Sequence, residues 1–525
     1  MQSKRDQVQA HTFVMGRLTS GMLLADPDAP ESPLGRTTRG TLTGFIVCVL
    51  ISAGALVYGL ISPGDNTSWR TSNGLIVNRE TGARYLYLDG RLRPVRNYAS
   101  ALLIGAGELR TTDVRTASLL GTPVGTPVGI TGAPDSVPAA DDLDGGPWQV
   151  CSTVGVIEGA DGGGATATAV TTLVVGAPVT GQAVAAGQAL LVAGPDKQAY
   201  LVWQGSRLRL DKDSGAAVSL GYGSVTPRPV SAAFLDALVS GPDLASPAVP
   251  GRGTAGPSLG GRKSTVGQVF LVKVPGSASQ YYLLRKEGFV PLTATGAALV
   301  LGDPTTREKV YGGASPTAAA LGADLLSEHL APGNQGRSTA STGLPDSPPR
   351  ATAVPGELSA CARVQSGDGL TRITTALVPR SSLTPLTQAA SGESVAACLP
   401  VDGIVVRPGH GALVRALGAS GATVGDTTYF VADNGVKYRV PSGAALKALG
   451  YADGDVVALP SPLLSMLPSG PDLDPDAAAR SGSAQVTGPA CGTGAAGPGG
   501  SSGPTGPGAG SGAGPHGGRT RTDNG

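Results

Sequence analysis

The strongest constraint on this chain is an uncharged apolar segment, TLTGFIVCVLISAGALVYGLIS, at residues 41–62. As an α-helix this segment would be roughly 33 Å long, which is enough to cross the hydrocarbon core of a bilayer. A secretory signal peptide has a shorter apolar region that lies nearer the N-terminus and precedes a small-residue cleavage site. The sequence therefore predicts a transmembrane helix at 41–62 and a single-pass membrane protein.

Basic residues predict the orientation of this helix. Arg36 and Arg39 lie just before the apolar segment, and three further basic residues lie upstream of them. Positively charged flanks of a membrane helix face the cytoplasm. Arg70 and Arg79 on the far side weaken this asymmetry without reversing it. We therefore expect a cell-membrane protein with a cytoplasmic N-terminus and an extracytoplasmic C-terminal region.

Residues 1–40 form the predicted cytoplasmic segment. Val8, Met15, Leu18 and Met22 recur at rough helical spacing, and the pattern ends at DPDAPESP because proline cannot continue a helix. Two interpretations fit this spacing equally: a solvated leader, and a helix that binds a cytoplasmic partner.

A hairpin pattern recurs four times after the apolar segment. Each copy reads as a strand, a tight turn, a return strand and a helical stretch. The copies are YLYLDGRLRPVRNYASALLI from Tyr85, AYLVWQGSRLRLDKDSGAAVSLG from Ala199, YYLLRKEGFVPLTATGAALVLG from Tyr281 and YFVADNGVKYRVPSGAALKALG from Tyr429.

The turn residues are the most specific part of this pattern. A two-residue hairpin turn of the primed type needs positive φ at both central positions, which Asp-Gly and Asn-Gly tolerate best. We expect such turns at Asp89-Gly90 and at Asn434-Gly435. Chance recurrence in a glycine-rich chain is the alternative, since 80 of the 525 residues are Gly.

These features predict an α+β fold in which four small hairpin-helix repeat modules surround a central mixed β domain. Each module is expected to contain a hairpin, a helix, a short strand and a second helix. The irregular spacing of the copies excludes a solenoid, which has a fixed period. The predicted ranges are 1–40 for the cytoplasmic segment, 41–62 for the membrane helix, 63–138, 199–247, 266–333 and 427–474 for modules one to four, 139–198 and 354–426 for the two parts of the central domain, and 475–525 for a disordered Gly/Pro/Ser-rich tail.

The cysteines support an extracytoplasmic domain. Cys151 and Cys361 lie in different halves of the proposed central domain and are candidates for a disulfide. This bridge would close a loop of about 210 residues and contribute about 5 kcal/mol as an upper figure. Cys398 and Cys491 remain, and a pair that uses Cys398 is an open alternative because sequence does not decide connectivity.

Composition and motifs give no support for a catalytic, metal or cofactor site. The formal net charge of +1 indicates no nucleic-acid partner, and four His residues without metal-ligand spacing give no metal cluster. GPSLGGRKST at 256–265 departs from a phosphate-binding loop because Arg262 separates Gly261 from Lys263, so Lys263 is read as a solvated charge. His410 lacks a Gly-x-Ser-x-Gly serine elsewhere and is read as a turn residue.

Several segments together resemble the EccB family, the single-pass core component of type VII secretion systems. The resemblance covers nearly everything before residue 475 and is specific in combination. The segments are QVQAHTFVMGRL, the apolar segment, TGARYLYLDGRLRPVRNYASALLIGAG, GITGAP, GPDKQAYLVWQGSRLRL, RPGHGALVRA and GDTTYFVADNGVKYRVPS.

This resemblance implies a structural subunit that assembles with EccC, EccD and EccE and with other EccB copies in the lipid bilayer. It also implies that EccC is the ATPase motor of the machine. ATPase activity has been proposed for EccB itself, but the sequence offers no nucleotide site. The alternative function is a cell-wall (peptidoglycan) binding module, for which Tyr87 and Trp203 would have to be exposed rather than packed into their modules.

Overall fold

The computed structural model contains an N-terminal pair of helices and a body built from β-sheets and short helices. The described residues are 4–25, 33–61, 67–71, 74–107, 109–157, 166–273, 276, 278–332, 343–367, 370–383, 394–418, 422–480, 485–487 and 491.

The N-terminal helices are α1 (Lys4–Leu24) and α2 (Pro33–Ile61). Helix α1 contains the four apolar residues that recur at helical spacing in the sequence. Within α2, residues 37–58 have a mean hydropathy of 2.1 and none of the window is buried. In the described part of the chain, α2 is the one helix long and apolar enough to cross a membrane. It begins earlier than predicted because proline fits the first helical position, and Ser62 lies outside the described residues.

The first sheet has the strand order β3-β2-β1-β4. Strand β1 pairs antiparallel with β2 and parallel with β4. Asn97 caps the helix after the hairpin, because its side chain accepts a hydrogen bond from the Ser100 amide. The elements are β1 (Leu75–Asn78), β2 (Arg84–Leu88), β3 (Arg91–Pro94), α3 (Tyr98–Ile104), β4 (Thr111–Val114) and α4 (Thr116–Leu119).

The central sheet begins with β5 (Trp148–Ile157), β6 (Thr166–Val174) and β7 (Gln182–Ala183). Strands β5 and β6 form a long antiparallel hairpin. Buried residues such as Trp148 and Val150 on one face of β5 alternate with Cys151 on the other.

The second sheet follows, and its elements are β8 (Gln188–Ala193), β9 (Ala199–Trp203), β10 (Ser206–Arg209), α5 (Ala216–Ser219), β11 (Arg228–Pro229), α6 (Ala232–Asp236) and β12 (Val239–Ser240). The main path has the order β11-β8-β9-β10-β12. The predicted module boundary at residue 199 is wrong, because β8 pairs with β9 and not with the central sheet. Strand β8 contains neither the aromatic residues nor the glycine turn that mark the recurring hairpin pattern in the sequence.

The third sheet has the order β15-β14-β13-β16. Its elements are β13 (Val269–Val272), β14 (Gln280–Arg285), β15 (Gly288–Leu292), α7 (Ala294–Gly302), α8 (Pro304–Tyr311), β16 (Ala319–Ala320) and α9 (Ala323–Glu328). The segment before β13, residues 246–264, is anchored to this unit by an ion pair between Arg252 and Asp303, whose side chains are largely buried.

The chain then returns to earlier sheets with β17 (Arg350–Ala351), β18 (Leu358–Gly367), β19 (Leu370–Pro379) and β20 (Gly403–Val405). Strand β17 pairs with β8 of the second sheet. The other three complete the central sheet, whose order is β20-β6-β5-β18-β19-β7. The central sheet therefore contains strands from both chain segments proposed as halves of a central domain, although each segment also contributes a strand to another sheet.

The fourth sheet has the order β23-β22-β21-β24. The predicted boundary between 354–426 and 427–474 is wrong, because it cuts through β22 and leaves β21 in the central domain. The hydrogen-bonded register places both strands in the fourth sheet. The elements are β21 (Ala412–Leu417), β22 (Thr423–Val431), β23 (Lys437–Val440), α10 (Gly443–Ala448), β24 (Val457–Pro460), α11 (Ser461–Ser465) and α12 (Pro475–Ala479).

Helix α12 corrects the predicted start of the disordered tail at 475. Asp474 caps this helix by accepting hydrogen bonds from the Asp476 and Ala477 amides. Ala478 is fully buried in a core that also contains Leu103 and Leu446. The tail residues 492–525 lie outside the described part of the chain.

Four sheets share one strand order. In each, a hairpin strand pairs with the first strand, and a later short strand pairs parallel on the other side of that first strand. One apolar cluster joins the central sheet to the second and fourth sheets through Trp148, Leu190, Phe234, Val414 and Leu463. The α+β class is therefore confirmed.

The turn at Gly90 gives a testable prediction about the first sheet. Gly90 has φ 73°, and nothing lies within 4 Å of the position that a Cβ atom would take. Gly90→Ala should lower the free energy of unfolding by about 1–2 kcal/mol, because a side chain in left-handed backbone is strained. Thermal unfolding followed by intrinsic fluorescence measures the effect.

The matched control is Gly356→Ala. Gly356 is also exposed and has open space around its Cα, but its φ is not positive. An equal loss of stability in both variants would contradict the strained-turn explanation.

Candidate functional site

The predicted cysteine pair lies at the centre of the central sheet. Cys151 on β5 is directly opposite Cys361 on β18. Their sulfurs are at disulfide-bonding distance, and the Cα atoms are 4.0 Å apart. Both side chains are fully buried, beside Val174 and Val378. The pair links chain segments separated by 210 residues.

A second cysteine pair resolves the connectivity that the sequence left open. Cys398 and Cys491 lie at disulfide-bonding distance, with Cα atoms 5.4 Å apart. The Asp472 amide also donates to the Gln485 carbonyl, and the Thr487 hydroxyl donates to the Asp472 carboxylate. These contacts fasten the C-terminal segment to the fourth sheet, far beyond the last strand.

The two predicted hairpin turns differ in the structure. Asp89 and Gly90 have φ of 53° and 73°, and Leu88 pairs with Arg91, as a primed two-residue turn requires. At the fourth sheet the Ala432 amide donates to the Val436 carbonyl, so three residues, 433–435, connect the strands and the predicted two-residue turn at Asn434-Gly435 is wrong.

In that longer connection only Gly435 takes positive φ, at 72°. The Gly435 amide donates to the Ala432 carbonyl, which places the turn one residue earlier than predicted. The Asn434 side chain instead accepts from the Val436 amide and donates to the Tyr438 hydroxyl. Asn434 therefore stabilises the loop through its amide group.

The loop around Lys263 does not have the geometry of a phosphate-binding loop. Leu259 and Arg262 exchange two backbone hydrogen bonds across a turn, and the Gly256 amide donates to the Ser264 carbonyl. These backbone amides are therefore occupied. The segment leads into strand β13 rather than into a helix, and Lys263 is exposed.

His410 lies beside an ion pair rather than a serine nucleophile. Its Nδ1 atom is 2.8 Å from the Asp142 carbonyl oxygen and 3.6 Å from a carboxylate oxygen of Asp144. Arg407 binds the same buried carboxylate with two nitrogens. Among the described residues, no group of three or more His, Cys, Asp and Glu side chains could hold a metal ion.

The two aromatic residues considered for glycan binding pack within their own units. Tyr87 is half-buried and meets Trp69 edge-to-face, with ring centroids 5.3 Å apart. The indole nitrogen of Trp203 donates to the Ala186 carbonyl at 2.7 Å, and its ring packs on the second sheet's core. Both side chains are partly buried.

A buried lysine was missed by the sequence analysis. Val436, Tyr438 and Val440 alternate onto one buried face, and a lysine between them in sequence ordinarily faces solvent. Helix α11 covers that side, so Lys437 is 2% exposed. Its ammonium group donates to the carbonyls of Leu464 and Leu467 at the C-terminal end of this helix. Burial lowers the pKa of Lys437 to about 8.

Comparison with known proteins gives a consistent picture. A family model described as "Type VII secretion system ESX-1, transport TM domain B" matches residues 1–484. The ESX-3 secretion system ATPase EccB3 of Mycolicibacterium smegmatis is 28% identical over 507 residues, which covers 92% of each chain. The ESX-2 secretion system ATPase EccB2 of Mycobacterium tuberculosis is 29% identical over 506 residues, covering 91% of this chain and 94% of the relative.

Solved structures also resemble this chain. A chain in the periplasmic assembly from the ESX-5 inner membrane complex aligns with a TM-score of 0.60 and 26% identity, covering 80% of this chain and 97% of that one. A chain in the intact ESX-5 inner membrane complex gives 0.58 and 25%, covering 91% and 95%. The EccB3 dimer from the ESX-3 core complex gives 0.58 and 24%, covering 78% and 100%, and shows the fold alone.

The depressed pKa of Lys437 predicts a pH-dependent stability. Between about pH 8 and 10.5 the unfolded chain binds more protons at this residue than the folded chain, so stability rises with pH. Relative to Lys437→Met, the wild type should gain about 2 kcal/mol between about pH 7 and 9.5. Thermal unfolding of both proteins at each pH measures this difference.

Lys447→Met is the matched control, because Lys447 lies on α10 of the same sheet unit and is exposed. This variant should keep the wild-type pH dependence. The assignment fails if Lys437→Met keeps it as well.

Proposed function

Because the chain belongs to the EccB family of type VII secretion membrane proteins, we propose that it anchors and organises the extracytoplasmic side of the secretion complex. As a family member it is a membrane component of such a system. The proposal goes further in assigning orientation, module boundaries, partners and the absence of ATP hydrolysis.

The observation that carries this proposal is the exposure of apolar side chains, which is high along α2 and low in the sheets that follow. The described side chains of α2 expose apolar groups such as Phe45, Leu50 and Ile51, each at least half exposed. Such a surface is stable in lipid and costly in water. The sheets beyond residue 74, in contrast, bury their apolar residues. One membrane anchor therefore carries one large folded body.

The orientation rests on charge and on the cysteines. Arg36 and Arg39 precede the apolar window of α2 and favour a cytoplasmic N-terminus. Two disulfide-distance pairs occur in the folded body, and disulfides persist in oxidising compartments outside the cytoplasm. Both observations support an extracytoplasmic location of everything after the membrane helix.

The shared strand order supports the proposal of four repeat modules around a central sheet. With the boundaries seen in the structure, module two begins at β8 and module four at β21. Several similar surfaces on one chain raise the effective concentration for assembly with partners. We assign as partners other EccB copies, for which the EccB3 dimer is a precedent, and subunits of the EccC, EccD and EccE type.

We do not assign ATP hydrolysis to this chain, although the curated relatives are named ATPases. The one near-match to a nucleotide motif has its backbone amides engaged in a turn. A cell-wall binding module is also less well supported, because Tyr87 and Trp203 pack inward.

Helix α1 provides the test of partner docking. Met15, Leu18 and Met22 are more than half exposed. Replacing these three residues by Ser should reduce the co-purified partner subunits at least tenfold, because the apolar face that would dock is lost. The measurement is quantitative mass spectrometry after mild-detergent purification from the native membrane.

The matched control replaces Gln7 and Gln9 on the same helix by Ala, which should leave partner yield unchanged. Undiminished recovery of an intact complex with the triple Ser variant would show that α1 does not dock partners. Recovery of the wild type alone or with wall fragments would favour the wall-binding function.

Lys263 provides the test of the ATPase assignment. Lys263→Ala should leave ATP hydrolysis by the purified complex within twofold of wild type, because the exposed lysine belongs to no phosphate cradle. Arg262→Ala is the neighbouring control. A tenfold or larger loss specific to Lys263→Ala would establish a nucleotide site in this loop.

A further inference from the structure

A small apolar cavity lies against the third sheet. Its volume is about 220 Å³, which exceeds the roughly 150 Å³ of an engineered cavity that binds benzene. Apolar side chains from β14, β15, α7 and two flanking loops form most of the wall. They are Pro247, Leu283, Val290, Leu292, Leu299 and Leu344.

One charged residue, Arg285, lies at the edge of this apolar wall. Arg285 is the last residue of β14 and pairs with Gly288 across the hairpin. It also lines a polar cleft of about 570 Å³, so the two spaces share this residue. A cationic residue is therefore common to the apolar cavity and the polar cleft.

The guanidinium of Arg285 lacks a protein partner. Its Nε atom is buried, and within the described part of the chain none of its nitrogens forms a hydrogen bond or an ion pair. A guanidinium has five N–H donors, and leaving buried donors unsatisfied costs free energy. Most buried polar groups in native proteins are paired, so an acceptor on a bound ligand would satisfy the Nε donor, for which the described residues supply no partner.

Neighbouring charges narrow the chemistry of that ligand. Lys286 and His329 line the polar cleft together with Glu287 and Glu328. Neither glutamate lies within 4.0 Å of Arg285 as an ion pair, and both would repel a doubly charged phosphate group. A singly charged, planar carboxylate matches the fork of a guanidinium and is repelled less.

We propose that this cavity binds a small apolar carboxylic acid, with its hydrocarbon part among the leucines and its carboxylate on Arg285. This ligand site is independent of the proposed role in complex assembly. The apolar wall supplies the hydrophobic contribution, and Arg285 supplies selectivity for the ionised acid.

The probe is 4-methylpentanoate, tested on the full-length protein in lipid nanodiscs by saturation-transfer NMR, with empty nanodiscs as background. The neutral amide 4-methylpentanamide is the matched control ligand, since it has the same hydrocarbon part without the charge. Wild type should bind the acid at least tenfold more tightly than the amide. Arg285→Gln should weaken acid binding about tenfold or more.

Gly296 allows a second variant that does not remove the charge. Gly296 lines the cavity on α7, and a Cβ atom there would lie no closer than 3.4 Å to its neighbours. Gly296→Leu should fill the cavity and abolish binding, while Gly296→Ala should bind within threefold of wild type. Unchanged thermal unfolding of Arg285→Gln shows that lost binding does not reflect misfolding.

The proposal is overturned by any of three results. These results are no saturation transfer to the acid with wild type, equal binding of acid and amide, and full retention of acid binding by folded Arg285→Gln. The first two results would leave Arg285 as a hydrated surface charge, and the third would place any binding elsewhere on the protein.

Discussion

The pairing of β5 with β18 is the interaction on which the rest of the structure depends. Cys151 and Cys361 face each other in this ladder, although 210 residues separate them in sequence. The chain after Cys151 first forms β6 and β7 of the same sheet, then leaves that sheet and returns to it at β18. The second and third sheets are therefore insertions into the central sheet. Because β5 and β18 are neighbours, the inserted chain must begin and end close together in space.

The core extends this constraint to neighbouring units. One continuous apolar cluster contains Trp148 of the central sheet, Leu190 of the second and Val414 of the fourth. A separate cluster joins the second sheet to Leu299 of α7 in the third. Units that share buried side chains cannot rotate freely, because separating them would expose apolar area. The sheets that share these clusters are therefore held in fixed relative positions.

Sequence predicted those parts of the fold that local chemistry determines. The membrane helix follows from 22 apolar residues, and the turn at Asp89-Gly90 follows from the backbone preferences of two residues. The extent of each sheet was harder to predict from the sequence. Strands β8 and β21 carry no turn signal and join their sheets through hydrogen bonds to residues later in the chain. At Asn434 the register, rather than the Asn-Gly pair, sets the turn.

Side chains buried by distant elements were also beyond the reach of the sequence. Lys437 is buried because α11 covers a strand face that alternation alone would place in solvent. Arg285 looks like an ordinary charge at a strand end, and only the folded structure shows that its buried Nε atom has no partner among the described residues. In contrast, the candidate disulfide could be predicted from the sequence, because cysteines in a region expected outside the cytoplasm commonly form disulfides.

The most direct test of this architecture is disulfide mapping of the full-length protein, taken from its native membrane with free thiols blocked and digested without reduction. The account predicts a cross-linked peptide pair that contains Cys151 and Cys361, with Cys48 recovered as a free thiol. Recovery of Cys151 and Cys361 as blocked free thiols, or each joined to another cysteine, would contradict the paired central sheet outside the cytoplasm.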